Sequence, residues 1–440
     1  MRYLIIVLAV CMAACKGSSY TSFTQDPVVY ARTVKELNNI VLENNFAPMV
    51  AARNYAYANI AAYECIAAGN SGWQSLSGQI VHMPEMPKPA PGPAIDHSLA
   101  ALLAFVKVGN AVTFPEGSML EYYERLLNKA DSMGIPSSRL NATRAFADSV
   151  ASAILLWSKG DHYAATRGSS RFPIDETPGR WVPTPPMYAT ALEPHWKDIR
   201  PMVLDSAAQF RCPPPPVFNM KNRNSVYYQA LMEVKNTGDS LNDEQKHIAE
   251  FWDDNPFKMN VTGHVMYATK KFSPAGHWMN IVGIAAQRAR ADLPTTIAAY
   301  AQTSIALFDG FISCWNEKYA SNYIRPETVI NQEVDANWQP YIQTPPFPSY
   351  VSGHSTISAA AAEVMTNYFG ELSFKDTSSV EFGIDARSFR SFREAAQEAS
   401  ISRLYGGIHY RFDLDEGNVL GKRVGDLVWR RLRLHKISKN

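Results

Sequence analysis

KYASNYIRP (318–326), SGH (352–354) and SRLYGGIHYRFD (402–413) fall in the last third of a 440-residue chain. Together they place two arginines, a lysine, a Ser-Gly step and two histidines within one stretch from Lys318 to Asp413. Those residue types suit a tetrahedral oxyanion. Arg325 and Arg403 can grip one bidentately, and Lys318 acts as a point charge. The Ser352 hydroxyl and the Gly353 N–H add donors, best placed where a helix begins, and STISAAAA (355–362) follows directly. His354, beside such a pocket, has a near-neutral intrinsic pKa suited to acid–base work. Gly406 and Gly407 permit close backbone approach. Asp413, four residues after His409, can accept from its ring and fix the tautomer. Taken singly, Lys318 and Arg325 read as a solvated cationic helix end, which suits the helix dipole, and His354 as a hydrogen-bonded or a surface histidine. As a constellation they read as one anion site.

Working outward, 46% hydrophobic residues and a formal net charge of +1 point to a large folded core, in one domain or two, and away from disorder and nucleic-acid binding. Met1-Arg2, the apolar run Leu4–Val10 and the small residues before Cys15 read as an export signal. That run is too short to span a bilayer, and no later segment reads as a membrane span. Cys65, Cys212 and Cys314 are too few for a disulfide framework, although one pair could form in an oxidising compartment.

Helical spacing predicts helices over Val28–Leu42, Val50–Ala68, Asp96–Val108, Gly117–Met133, Ser137–Lys159, Asp243–Trp252, Gly276–Arg290, Thr295–Tyr319, Ser352–Tyr368, Ser378–Ile401 and Asp413–Leu432. No convincing strand alternation stands out, so the fold class is all-α, built of packed helical bundles. Prolines dominate Val81–Pro93 and Asp161–Val217, which therefore read as extended or turn backbone. The division expected is a signal over 1–15, a tether over 16–27, an N-terminal helical layer over 28–160, a proline-rich crossing over 161–217 and a catalytic helical domain over 218–440. The crossing is expected to pack on the catalytic half and to roof its site, since Trp181, Met187, Tyr188 and Trp196 are too apolar to hang free. Asp253-Asp254 reads first as a helix end, with metal ligation or support of an arginine as the alternatives. His264 and His277 lack zinc spacing, and no P-loop or dinucleotide glycine pattern occurs.

The spacing of the three clusters resembles the signature of the type 2 phosphatidic acid phosphatase/vanadium haloperoxidase superfamily. One departure is Val351 before Ser352, where the family usually has proline; the chain carries Pro348 instead. The cut before Cys15 resembles a bacterial lipobox. It implies a lipid-anchored exported protein held to a bacterial membrane by Cys15 alone, unlike the multi-spanning lipid phosphatases of the superfamily. By this resemblance His409 bonds the central atom, vanadium or phosphorus. His354 is the acid–base partner, and Lys318, Arg325, Ser352, Gly353 and Arg403 hold the equatorial oxygens.

The same pocket implies two chemistries. In a vanadate-dependent haloperoxidase, His409 ligates vanadate, Lys318 polarises the peroxide bound there, and halide attack gives hypohalous acid. In an acid phosphatase, phosphate occupies the site, and His409 forms a phosphohistidine from a phosphate monoester while His354 protonates the leaving group. Trp315 and Phe347 are similar to aromatics on the halide side of the vanadium chloroperoxidase branch, as are TPPFPSY (344–350) and HYRFD (409–413), which favours the peroxidase. A surface lipoprotein that binds phosphate-like ligands without turnover is a third reading, and the two histidines speak against it.

Overall fold

A computed structural model describes residues 19–435 apart from 256, 257, 263, 264 and 270, with only the backbone of 258–262 and 265–269. Cys15, the export signal, residues 16–18 of the tether and His264 lie outside the described residues. In order the chain forms α1 (Ser19–Thr24), α2 (Pro27–Glu43), α3 (Pro48–Gly69), α4 (His97–Val112), α5 (Leu120–Ser132), α6 (Ser137–Ser158) and the single turn α7 (Tyr163–Thr166). Next come α8 (Val226–Asp239), α9 (Asp243–Phe251), the antiparallel hairpin β1 (Lys258–Thr262) and β2 (Val265–Thr269), and α10 (Pro274–Ala289). The remainder is α11 (Leu293–Ser321), α12 (Pro326–Glu333), α13 (Gly353–Phe369), β3 (Phe374–Asp376), β4 (Arg387–Phe389), α14 (Phe392–Tyr405) and α15 (Arg411–Arg431). The fold is all-α but for these two small hairpins.

Local chemistry explains most boundaries. Asp26, Asp96, Ser273, Asp292 and Ser391 each cap a helix through a side-chain oxygen, with Pro27, Pro274 and Pro294 in the first turn of theirs. Asn242 and Gln245 form a reciprocal capping box on α9.

Four expectations need correction. Residues 19–24 of the expected tether are helical and docked: Tyr20 and Thr24 are buried, and Thr24 bonds Asp96. The helices α8 and α12 were not anticipated. The first half of the expected helix Ser378–Ile401 is instead turn and strand. There Asp376 Oδ1 ties down the Ser378 N–H and hydroxyl, Gly383 sits at φ 76°, and β3 pairs with β4 with Phe374 opposite Phe389. Finally, strands do occur, as these hairpins.

Helix α11 is the axis. It packs on α3 on one side and on α13 and α15 on the other, while α10 bridges α2, α11 and α13. It is long and apolar enough to cross a membrane, but its most apolar window is wholly buried in this fold, so here it is a core helix. One continuous apolar core runs from Tyr20 to Leu434. α15 lies unusually close to α13 because Gly417, Gly421 and Gly425 face it. A Cβ on Gly421 would stand 1.9 Å from the Thr356 carbonyl oxygen, and one on Gly417 2.9 Å from that of Ser352. This seating fixes the start of α13, which carries Ser352 and His354.

The proline-rich segment is tied down by its backbone. Asp309, buried on α11, accepts the N–H groups of Met202, Val203 and Leu204 at 2.7–2.9 Å. The Leu192 carbonyl takes the Trp315 indole N–H at 3.2 Å and the Tyr319 hydroxyl at 2.6 Å. Trp181 and Trp196 are fully buried, whereas Met187 and Tyr188 face solvent, contrary to the packing expected of those two.

Candidate active site

His409, His354, Gly353 and Arg403 line a single pocket of about 610 Å³, mouth included, together with Trp315, Phe347, Phe311, Leu192, Ile408 and the segment Asp253–Asn255. Lys318, Arg325 and Ser352 lie behind its wall, fully buried. The three clusters converge because α11 ends at the pocket, α13 begins there, and α14 turns through Gly406-Gly407 into α15. Gly407, at φ 77° and packed on Trp338 and Pro340, makes that turn.

His409 is held from both sides. Its Nδ1 lies 2.7 Å from Asp413 Oδ2, and its Nε2 lies 3.2 Å from Arg325 Nη1. A carboxylate can only accept, so Nδ1 carries the proton and Nε2 presents its lone pair. Asp413 Oδ2 also accepts the Ser349 hydroxyl at 2.5 Å and the Tyr410 N–H at 3.3 Å. Ser349 escaped the sequence reading, because only the folded Pro345–Ser349 turn brings it beneath His409. Burial, then the charges of Arg325, Lys318 and Arg403, hold the His409 pKa well below its ordinary value. The ring is therefore neutral and nucleophilic at physiological pH.

The cations are strained for want of counter-charge. Lys318 Nζ donates to the Pro348 and Ser349 carbonyls, both at 2.9 Å, and burial pushes its pKa down to about 7. Arg325 donates to the Phe347 and Ile408 carbonyls at 2.8 and 2.7 Å, its Nη2 finds no partner, and burial lowers its pKa to about 10. Arg403 donates to the Ser402 hydroxyl and to the Trp252 and Asp253 carbonyls, and burial lowers its pKa likewise to about 10. Burial also raises the Asp413 pKa to about 6, against the pull of Ser349 and Lys318. An anion delivered here would relieve three buried cations that share few carboxylates.

His354 sits at the first turn of α13, its Nε2 without a hydrogen bond. Burial first, then Arg403, push its pKa well below the ordinary value. The nearest carboxylate oxygen, Asp254 Oδ2, is 3.8 Å away. Ser352 caps α13, accepting the Ser355 N–H at 3.3 Å, and its own N–H donates to the Asp413 carbonyl at 2.9 Å. Packing does not demand glycine at 353, where a Cβ would meet only Trp315 at 3.7 Å. Trp315 and Phe347 stand on one side with ring centres 5.0 Å apart, and Lys318 Nζ lies 4.9 Å from the Phe347 ring centre. Asp253-Asp254 does follow a helix end, but it also meets the site: its backbone holds Arg403, and Asp254 binds His277 at 2.9 Å. Among the described residues no group of three or more His, Cys, Asp or Glu side chains is arranged to hold a metal ion.

Residues 298–436 match the family model of the VCPO second helical-bundle domain. No curated protein matches the chain. The fold is similar to the crystal structure of a bacterial vanadium-dependent iodoperoxidase, at TM-score 0.88 and 41% identity, covering 94% of this chain and 98% of that one. It also resembles a holo-type bacterial vanadium-dependent chloroperoxidase, at TM-score 0.63 and 17% identity over 88% of this chain and 92% of that one, a likeness of fold. With identity at that level across nearly the whole length of the iodoperoxidase, the chain belongs to the vanadium-dependent haloperoxidase family.

Proposed function

We propose that this protein is a vanadate-dependent haloperoxidase, oxidising halide with hydrogen peroxide at a vanadate bonded to His409. The observation that carries this reading is His409, which lines the pocket with a neutral ring whose Nε2 lone pair is met only by the buried guanidinium of Arg325 behind the wall. The residues fit the cofactor. Its anionic oxygens would be held by the unpartnered Arg325 Nη2, the Lys318 ammonium, the Arg403 guanidinium, and the Ser352 and Gly353 donors at the start of α13. Vanadate, when bound, supplies a Lewis-acidic centre that activates peroxide toward attack by halide.

The chain's own groups do the rest. Asp413 and Ser349 keep the His409 proton on Nδ1, so that Nε2 remains a ligand. His354, neutral and with Nε2 unpaired, can take a proton from incoming peroxide and return it. Lys318 places positive charge where negative charge leaves oxygen. Leu192, Phe311, Trp315, Phe347 and Ile408 make the mouth apolar, which favours a large, weakly hydrated anion over a small one, so iodide is the halide proposed. Phosphate is expected to compete for the same pocket.

Purified protein loaded with vanadate should oxidise iodide faster than bromide or chloride, only with peroxide, and lose activity on vanadate removal. Vanadate-independent hydrolysis of phosphate esters without halide oxidation would overturn this reading in favour of the phosphatase. We also propose export and lipid anchoring at Cys15, supported by the apolar run before it. A diacylglyceryl mass on Cys15 is expected, and a Cys15→Ala protein still held in membranes would refute the anchor.

A further inference from the structure

Behind His354 lies a group that the proposed chemistry does not use. His277, on α10, is sealed between two carboxylates. Its Nδ1 lies 2.9 and 3.1 Å from the two oxygens of Asp254, and its Nε2 lies 2.9 Å from Asp376 Oδ2. All three residues are buried. A carboxylate only accepts, and a neutral imidazole has one N–H, so a ring bonded this way carries both protons. Burial opposes that charge, but Asp254 and Asp376 outweigh it and raise the His277 pKa to about 10. The indole of Trp252 stacks on the ring at 4.6 Å. Asp376 is fixed in turn by the Ser378 N–H and hydroxyl.

Asp254 is the link to the site. Its backbone sits at φ 39°, a left-handed conformation that is strained for a non-glycine residue and persists only where the surroundings enforce it. His277 grips the carboxylate of this residue by both oxygens. Asp254 Oδ2 is the same oxygen that stands 3.8 Å from His354 Nε2, roughly 1 Å beyond a charge-assisted hydrogen bond.

Resting on the haloperoxidase reading above, we infer that His277 is a positioning residue. It clamps Asp254 by both oxygens, so that this carboxylate does not close onto His354, and the His354 Nε2 stays without a hydrogen-bond partner, free to exchange protons with peroxide. Released from the clamp, Asp254 would form a tight ion pair with His354. The ring would then stay protonated to higher pH, and its Nε2 would be occupied. The titratable and charged groups facing His354 are Asp254 from the α9–β1 connection, His277 from α10, Lys318 from α11, Arg403 from α14 and the neutral His409 from the turn after it.

Two substitutions separate a clamp from mere structure. His277→Gln removes the charge and one of the two grips. Asp376→Asn leaves His277 in place but commits its charge to Asp254 alone. In vanadate-loaded protein, the acidic limb of the pH profile for iodide oxidation should move up by about one pH unit in His277→Gln, a tenfold loss of rate on that limb. It should move down in Asp376→Asn. Bound vanadium per chain should stay as in the unsubstituted protein, because the His409 cluster is untouched. In vanadate-free protein, nitrogen-15 spectra should show two ring N–H groups on His277 at pH 8. Limbs that stay put, or that move the same way in both variants, overturn the inference, as does a singly protonated His277. Should His277→Gln not fold, Asp376→Asn and the spectra decide. If the unsubstituted protein binds vanadate but oxidises no halide, the haloperoxidase reading fails instead, and the His277 spectra still test the clamp.

Discussion

Replacing Lys318 with methionine removes one ammonium from the end of α11 while keeping the length of the side chain. Lys318 is fully buried, and burial takes its pKa from the ordinary 10.5 to about 7. The unfolded chain keeps its lysine proton to about pH 10.4, whereas the folded protein releases it near 7. Between those values the unfolded state binds more protons, so the contribution of Lys318 to stability rises with pH. At about 1.4 kcal/mol per pKa unit, the ceiling is about 5 kcal/mol across that window. Other groups titrate there too, His277 in the opposite sense. The quantity to follow is therefore the difference between the unsubstituted protein and Lys318→Met. In urea unfolding without vanadate or phosphate, the unsubstituted protein should gain on the variant by several kcal/mol from pH 7 to pH 10. Saturating phosphate should remove most of that dependence, because a bound anion stabilises the charged amine. It should also stabilise the unsubstituted protein more than the variant; at 100 times Kd the gain is about 2.7 kcal/mol. Parallel stability curves with pH, or equal phosphate stabilisation of both proteins, would refute the assignment of Lys318 as a buried cation waiting for an anion.

His409→Ala should lose vanadate on desalting, since it removes the ring nitrogen proposed to bond the central atom, whereas His354→Ala should keep vanadate and lose turnover by roughly 10²–10⁴-fold; the reverse pattern in a vanadium assay would exchange the two roles. Gly421→Ala would drive a methyl into the Thr356 carbonyl at 1.9 Å, so thermal unfolding should show a loss of several kcal/mol, as is typical of overpacking with no room to relax. Asp309→Ala leaves the Met202, Val203 and Leu204 N–H groups without their acceptor; a loss of about 3 kcal/mol or more and new protease cleavage near residues 199–205 are expected, and an uncut, equally stable variant would show that other contacts hold the crossing.

How much could be read beforehand differs by element. Helices such as α2 and α6 were legible because helical spacing of apolar residues and Asp, Ser or Pro at their starts are local signals, and α11 because its long apolar run follows Asp292 and Pro294. The stretch 378–391 was misread because its apolar and charged residues mimic helical spacing, while the turn depends on Asp376 folding back onto Ser378. The glycines at 417, 421 and 425 escaped the sequence reading, because their role depends on which helix they face.

The sequence by itself singled out the candidate residues of the proposed anion site. Lys318, Arg325, Ser352, Gly353, His354, Arg403, His409 and Asp413 announce themselves because bidentate cations, a helix-start donor pair and two histidines at fixed short spacings have few other joint uses. Only the tertiary structure decided the state of those groups. Charge, tautomer and proton affinity depend on burial and on partners far away in the chain. Ser349 beneath Asp413 is one such partner, the Trp252 carbonyl on Arg403 another, and the Asp254–His277–Asp376 clamp behind His354 a third. Spacing along a chain places side chains on a common face; a pKa is set by every charge and dipole within several ångströms, and those are brought together only when the helices pack.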